Sequence, residues 1–264
     1  MRAGRFPPIV DAHCHVGRGD ALTGPWDVGE LDDYLRRADA AGITRTVLFS
    51  VFHSDYSVAN RAVARVVASR PDRFLGFAFV HPARDVGRVG ELVHQAVHEY
   101  GFRGLKVHRH DAALTPEVAQ AARRFGLPVL YDPMGEVAPL ELFATEFPDV
   151  AFVIPHLGSF ADDWAVQRVV IDLLVRFPNL YADTSGVRRF DLLVDVVRRA
   201  GAGKLVFGSD GPWLHPGLEL AKVRALCLPP AQEQAVLGGT LLGLLGRPVS
   251  AGLARPCASA APGR

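Results

Sequence analysis

The sequence predicts an α/β fold in which eight parallel strands and their helices close into a single (β/α)8 barrel. Short apolar segments rich in β-branched residues alternate with longer amphipathic segments along the whole chain. The apolar segments are nearly continuous rather than alternating, which is typical of strands buried on both faces of a parallel sheet. Strict alternation of strand and helix predicts right-handed βαβ units, and a chain of 264 residues has an ordinary length for eight of them.

Eight strands are predicted, and most of them end in a polar residue. They are Ile9–Val16, Arg45–Phe52, Phe74–Val80, Phe102–His108, Pro128–Asp132, Ala151–His156, Leu180–Thr184 and Lys204–Asp210. A doubly wound open sheet is the competing architecture, and it carries a glycine-rich phosphate turn after its first strand. The corresponding segment here reads HCHVGRG, which lacks that pattern.

Helical segments separate the strands, and an additional helical region follows the last strand. They are Leu31–Ala41, Val58–Arg70, Val86–Tyr100, Pro116–Phe125, Pro139–Phe147, Trp164–Phe177, Phe190–Ala200 and the final region Leu218–Leu245. Gly42, Gly101, Gly126 and Gly201 each follow a helical segment, as glycines do at helix C-termini. The segments RPDRF, FPDVAF and FPNLYA each end a helix with a proline and lead into a strand.

We see no domain boundary before residue 247, so residues 1–246 are predicted to form one barrel domain. From there the chain reads RPVSAGLARPCASAAPGR, which is rich in small residues, proline and glycine and has no periodicity. Residues 247–264 are therefore predicted to be a disordered tail.

Composition points to a soluble protein that acts on a small molecule. The chain has 29 basic and 28 acidic residues, scattered along it, so its charge gives no reason to expect nucleic acid or a membrane surface as a partner. No apolar stretch approaches the roughly 18 residues that span a bilayer, and the N-terminus lacks the apolar core of a signal peptide. Three cysteines form no disulfide framework and suit a reducing compartment, so we expect a cytoplasmic location.

Titratable residues collect at the carboxyl ends of the predicted strands, where a parallel barrel places its active site. They are His13, His15, His53, His81, Lys106, His108, Asp132, His156, Asp183 and Asp210. A purely structural barrel has no reason to bear the desolvation cost of such an arrangement. The strand ends therefore predict a catalytic site.

His13 and His15 are predicted to bind a metal ion. Side chains two residues apart on a strand point to the same face, so both imidazoles project into the barrel mouth. Neutral imidazole suits zinc, iron or nickel. A His-x-His pair alone fits two buried histidines bonded to the backbone equally well.

Asp210 strengthens that prediction, because strand 8 of a closed barrel pairs with strand 1. Its carboxylate then arrives beside His13 and His15, where it can ligate a metal or accept a proton from water. The alternative is a helix-capping or turn aspartate. The spatial coincidence with the histidine pair favours function.

Four further residues are candidates for the same site. His156, in IPHLG, faces the pair across the mouth and can serve as a ligand or orient water; the alternative is a core histidine. Lys106 and His108 share a face of strand 4 and are predicted to contact the substrate, Lys106 by holding a substrate carboxylate. Lys106 could equally form a structural ion pair with Asp132. Asp132 is a candidate ligand, or a turn residue before Pro133.

Four segments resemble the amidohydrolase superfamily, specifically the amidohydrolase-2 group of aminocarboxymuconate-semialdehyde decarboxylase-like proteins. They are DAHCHVG on strand 1, GFRGLKVH on strand 4, HLG on strand 6 and FGSDGPW on strand 8, and the resemblance runs from about Ile9 to Leu245. It implies that His13, His15 and Asp210 hold one divalent metal, commonly zinc, with manganese or iron as alternatives. It also implies that His156 positions or deprotonates the attacking water.

The chain departs from that family in two places. The family's strand-5 histidine ligand corresponds here to Asp132 in VLYDPMG, so Asp132 either supplies a harder ligand for zinc, manganese or iron or marks a weakened site. The family's late asparagine–alanine pair appears as Gly239–Thr240, remote from the chemistry. TatD-type nucleases open with a similar motif but use a strand-4 glutamate, where this chain has Lys106. A carboxylated Lys106 that bridges two metals is a further option within the superfamily.

The sequence therefore predicts a metal-dependent hydrolase that cleaves an amide, ester or lactone bond of a small molecule. Asp210 and His156 are its predicted catalytic residues. One alternative is a metal-dependent, non-oxidative decarboxylase of an aromatic or unsaturated carboxylic acid. The other, motivated by Asp132, is a degenerate barrel that binds a small molecule without catalysis. The resemblance allows a homodimer.

Overall fold

The structure is a computed structural model that describes residues 7–28 and 31–246. Its eight strands form one sheet in chain order, from β1 to β8, and every neighbouring pair is parallel. Helices alternate with the strands. The predicted (β/α)8 barrel is thus confirmed. The predicted tail at 247–264 lies outside the described residues.

The strands are short, and those on the carboxyl side of the chain are the shortest. They are β1 Val10–Val16, β2 Arg45–Ser50, β3 Phe74–Phe79, β4 Gly104–His108, β5 Val129–Asp132, β6 Phe152–Ile154, β7 Leu180–Asp183 and β8 Leu205–Val206. Strand β6 ends before its predicted limit because the chain enters a 3-10 turn, Pro155–Gly158, in which His156 has a left-handed backbone. Strand β8 likewise stops before Asp210, whose φ of 54° is incompatible with a strand.

The helices on the outside of the barrel agree closely with the predicted segments. They are α1 Leu31–Ala41, α2 Tyr56–Ser69, α3 Val89–His98, α4 Pro116–Phe125, α5 Pro139–Glu146, α6 Trp164–Arg176, α7 Phe190–Arg199, α8 Pro216–Ala225, α9 Pro230–Gln234 and α10 Thr240–Leu245. The predicted C-terminal helical region is confirmed. It is divided at Pro229 and Pro230, because a proline inside a helix removes a backbone hydrogen bond. No helix in the described part of the chain is long and apolar enough to cross a membrane.

The barrel closes between β1 and the segment that follows β8. The backbone N–H of Ala12 donates to Phe207 (2.9 Å), and that of His15 donates to Gly211 (2.7 Å). Behind this seam the buried carboxylate of Asp11 accepts the backbone N–H of Ser209 at 2.9 Å and the phenol of Tyr34 at 2.7 Å. Closure thus brings the ends of the first and last strands together.

Two apolar layers hold the barrel. The larger one lies between strands and helices and includes Tyr34, Phe102 and Leu174. The smaller one gathers strand residues such as Val47 and Phe77, together with leucines of α10. Buried polar residues lie outside these layers, both at the strand ends and, like Asp11, at the closure of the barrel.

Candidate metal centre

A cavity of about 510 Å³ opens at the carboxyl ends of the strands. Its floor is polar and is made by His13, His15, Asp132, His156 and Asp210. All five side chains are buried. Six of the ten predicted strand-end residues, these five and His108, therefore share one cavity. The other four, His53, His81, Lys106 and Asp183, are not among its described lining residues.

Barrel closure brings the three residues predicted from the first and last strands into contact. The Nε2 atoms of His13 and His15 lie 3.3 Å and 3.4 Å from one carboxylate oxygen of Asp210. One ligand atom each of His13, Asp210 and His156 lies within 4.8 Å of the others. A single cation can therefore be reached by side chains from β1, the β6 turn and the end of β8.

Hydrogen bonds fix the proton positions on the two β1 histidines. Nδ1 of His13 lies 2.7 Å from a carboxylate oxygen of Asp183, and Nδ1 of His15 lies 3.1 Å from the carbonyl oxygen of Ser50. These oxygens only accept, so Nδ1 carries the proton in both rings. Each Nε2 is left with a free lone pair that faces Asp210.

His156 has the same tautomer, although it comes from a turn rather than a strand. Its Nδ1 lies 2.8 Å from the carbonyl oxygen of Ser185, so Nε2 again keeps its lone pair. The left-handed backbone at His156 and Leu157 turns the imidazole toward the cavity floor. Non-glycine residues rarely adopt this conformation, and it concentrates at functional sites.

The electrostatics of the cluster favour neutral imidazoles around an ionised carboxylate. Burial lowers the pKa of His13, and it lowers the pKa of His15 to about 4. Burial by itself raises the pKa of Asp210, but the neighbouring imidazoles of His13, His15 and His156 outweigh it and bring that pKa below its usual value. At neutral pH the imidazoles of His13 and His15 thus keep their lone pairs beside an ionised carboxylate.

Asp132 lies on the same floor but is engaged in other contacts. One carboxylate oxygen accepts the backbone N–H of Met134 at 2.8 Å. The other lies 3.2 Å from Nε2 of His108 and 3.7 Å from Nε2 of His156. The backbone N–H of His110 donates to Nδ1 of His108, so the proton of His108 is on Nε2 and points at Asp132. Asp132 does not belong to the close group of His13, His156 and Asp210. Its predicted role as a ligand stays a prediction.

Lys106 lies beneath the floor rather than in the cavity. Its side chain is fully buried, and its Nζ has no hydrogen-bond partner among residues 7–28 and 31–246. The ammonium sits 5.0 Å from the ring centre of Phe49, and burial lowers its pKa. Lys106 is not among the described residues that line the cavity, whereas His108 is. The substrate contacts predicted for both stay predictions.

A family model described as Amidohydrolase matches residues 10–246, nearly the whole chain. The chain belongs to the amidohydrolase family. This confirms the resemblance read from the strand-end motifs, including its amidohydrolase-2 group, and makes the protein an enzyme of that family, whose members include hydrolases and decarboxylases. No curated protein matches the sequence.

Solved structures share the fold of this amidohydrolase at low sequence identity. A dihydroxybenzoic acid decarboxylase from Polaromonas, with bound manganese, has a TM-score of 0.67 and 16% identity, over 91% of this chain and 97% of that one. A 5-carboxyvanillate decarboxylase from Sphingomonas paucimobilis has a TM-score of 0.70 and 16% identity, over 91% and 99%. A putative 2-pyrone-4,6-dicarboxylic acid hydrolase from Pseudomonas putida has a TM-score of 0.69 and 19% identity, over 91% and 98%.

Several site residues of the amidohydrolase were not assigned a role from its sequence. Asp183 ends β7, and its place at a strand end indicates a site residue. The sequence does not predict its hydrogen bond to His13. Ser185 holds His156 through its backbone carbonyl. The ring of Trp213 lies 4.5 Å from that of His15, and only its place three residues after Asp210 could have suggested it. Together the cluster supports a divalent metal centre.

Proposed function

We propose that this amidohydrolase is a metal-dependent hydrolase that cleaves an amide, ester or lactone bond of a small molecule with water. One observation carries the proposal. The free Nε2 atoms of His13, His15 and His156 and the ionised carboxylate of Asp210 converge at the floor of a cavity. These groups accept protons and donate lone pairs, which suits water activation.

The donor set fits one divalent cation. Neutral imidazole nitrogens with one carboxylate are a zinc-type ligand set, which manganese or iron also accepts. His13, His15 and Asp210 would hold the ion, with His156 beside it. Bound there, it would polarise the scissile carbonyl and lower the pKa of water. Asp183 supports this fit, because a carboxylate on the far nitrogen of His13 orients the ring and raises its basicity.

The side chains around the substrate then have distinct roles. Asp210, ionised at neutral pH, accepts a proton from the attacking water. His156 orients that water through its free Nε2, because Ser185 fixes the ring from behind. The buried floor keeps bulk water away from these groups and strengthens their electrostatic effect.

The second candidate is the decarboxylation of an aromatic carboxylic acid. The aromatic walls of the cavity, with Trp26, Phe160 and Trp213, favour a planar ring. Decarboxylation must, however, protonate the carbon that loses carbon dioxide, and that needs a proton donor. The ionised Asp210 and the free nitrogens of His13, His15 and His156 are acceptors. The Nε2–H of His108 is a donor in the same cavity, but it is engaged with Asp132, so we rank hydrolysis first.

Product analysis tests this choice. Protein purified without chelator is assayed on aryl esters, lactones and aryl amides, and on hydroxybenzoic acids with detection of carbon dioxide. We expect hydrolysis that a chelator abolishes and that zinc or manganese restores. Carbon dioxide release without hydrolysis would favour the decarboxylase. Less than about half an equivalent of metal, with no recovery on addition of zinc or manganese, would favour a binding protein without catalysis.

A further inference from the structure

The walls of the cavity differ sharply from its floor. Four aromatic rings surround the opening, and Met134 and Ala161 complete the apolar lining; the rings are those of Trp26, Phe52, Phe160 and Trp213. Trp213 lies 4.5 Å from the His15 ring and 6.0 Å from the Trp26 ring. The aromatic surface therefore begins directly above the candidate metal centre.

The Trp26 ring is held in place by hydrogen bonds of the loop that carries it. Nε1 of Trp26 donates to the carbonyl oxygen of Thr23 at 2.7 Å, and the hydroxyl of Thr23 donates to the carbonyl oxygen of Phe52 at 3.2 Å. The Trp26 ring also packs edge-on against Phe52 at 5.0 Å. With its N–H satisfied by the backbone, the indole is left to offer apolar surface to a ligand.

Among the residues that the structure describes, the walls offer no permanently charged cation to an anionic ligand. No arginine or lysine is among the described residues that line the cavity. Nearby guanidinium groups are paired with carboxylates: Arg109 with Glu136 at 2.8 Å and Arg188 with Asp162 at 2.6 Å. An anionic group on the substrate, away from the scissile bond, would lose its hydration without gaining a cationic partner. The walls therefore select against such a group.

Resting on the proposed hydrolytic function, we propose that the substrate is a neutral molecule with a planar aromatic or conjugated ring next to the scissile ester, lactone or amide carbonyl. The ring packs against the aromatic surface that Trp26 and Trp213 form together, while the carbonyl faces His15 and Asp210. For an aryl ester, the water oxygen bonds to the acyl carbon and the acyl–oxygen bond breaks. One water proton passes through Asp210 to the leaving aryl oxygen, and the other stays on the acid.

Turnover of matched esters tests the substrate class. The metal-loaded enzyme is assayed on phenyl acetate, 4-acetoxybenzoate and cyclohexyl acetate, with rates normalised to the hydroxide-catalysed reaction. We expect kcat/KM for phenyl acetate to exceed that of the other two esters by about tenfold or more. Cyclohexyl acetate loses the aromatic packing, and 4-acetoxybenzoate buries an unpaired charge. Equal or better turnover of 4-acetoxybenzoate would overturn the inference and leave the hydrolytic function standing.

Two substitutions localise the selectivity. Trp213→Ala should lower kcat/KM for phenyl acetate about tenfold, mainly through KM. Trp164→Ala is the matched control, because this tryptophan is 52% exposed and lies outside the cavity lining, and it should change nothing. Met134→Arg places a cation at the cavity rim and should raise kcat/KM for 4-acetoxybenzoate selectively. Unchanged kinetics in both Trp213→Ala and Met134→Arg would contradict the inference.

Binding of ketone analogues separates this inference from the proposed function. Acetophenone, 4-acetylbenzoate and cyclohexyl methyl ketone keep the carbonyl but cannot be hydrolysed. We expect acetophenone to bind about tenfold more tightly than the other two. Equal or tighter binding of 4-acetylbenzoate would overturn the inference. Tight acetophenone binding without any hydrolysis of phenyl acetate would count against the hydrolytic function alone.

Discussion

At the scale of single residues, tautomers distinguish the histidines of the floor. His13, His15 and His156 each hold their proton on Nδ1 and leave Nε2 free, whereas His108 has the opposite tautomer and donates to Asp132. The residue types predicted the cluster, but not this distinction. It depends on partners such as Ser50 and Ser185, which are distant in sequence from the rings they bind.

Asp183 should be a positioning residue for the metal centre. Asp183→Asn should weaken metal affinity about 10- to 100-fold with little effect on folding, because the far nitrogen of His13 loses its charged acceptor. Competition with a chromophoric chelator measures the affinity. Asp195→Asn, which alters a carboxylate paired with a surface arginine, is the control. Equal affinities for the two variants would contradict the role of Asp183.

The depressed pKa of His15 predicts a pH dependence of stability. Between pH 6.5 and about 4 the unfolded chain takes up a proton at His15, whereas the folded chain does not. Stability from the neutral ring is therefore present above pH 6.5 and is lost as pH falls through that interval. Metal-free protein should lose about 2 kcal/mol of unfolding free energy from this group between pH 7 and 5. Urea denaturation of wild type and His15→Gln measures it; equal pH slopes would contradict the prediction.

At the scale of elements, hydrophobic periodicity predicts the strands and helices. It does not predict where the strands end at the site. Strand β6 stops early because His156 adopts a left-handed backbone, and β8 ends at Val206, before the left-handed Asp210. Nothing in a local pattern predicts such conformations for non-glycine residues, since tertiary hydrogen bonds hold them. The aromatic walls were also beyond prediction, because Trp26, Phe160 and Trp213 come from separate loops.

Gly208 should be required for the close approach of β7, β8 and β1. A Cβ atom at this position would lie 3.0 Å from Cβ of His13 and 3.1 Å from the carboxylate of Asp183. Gly208→Ala should therefore displace His13 and reduce metal content and activity together. Gly203→Ala is the control, since its Cβ would meet open space. Elemental analysis of both proteins checks this, and full metal content in Gly208→Ala would contradict it.

At the scale of the whole molecule, the site depends on closure of the barrel. The fold and the meeting of His13, His15 and Asp210 could be predicted because eight βα units leave β8 beside β1. The hydrogen bonds behind this seam between β1 and the segment after β8 could not be predicted. Asp11 joins β1 to Ser209 and to Tyr34 of α1 through buried side chains that lie far apart in the sequence. Burial raises the pKa of Asp11 to about 6.

Ser209→Ala should loosen this seam. It removes the hydroxyl bond to Asp11 and the bond that the backbone N–H of Gly211 donates to the hydroxyl at 3.1 Å. Loss of these buried hydrogen bonds should cost about 1–3 kcal/mol of unfolding free energy. Urea denaturation measures it, with Ser69→Ala at the exposed end of α2 as control. Equal destabilisation by the two substitutions would contradict the role of the seam.

Metal content measures directly whether closure of the barrel assembles a cation site from the two ends of the chain. Wild type and the His13→Ala/His15→Ala variant are purified without chelator and analysed for transition metals, with circular dichroism to confirm that both are folded. We expect about one equivalent of metal in wild type and almost none in the variant. Equal metal content in the two folded proteins would contradict it.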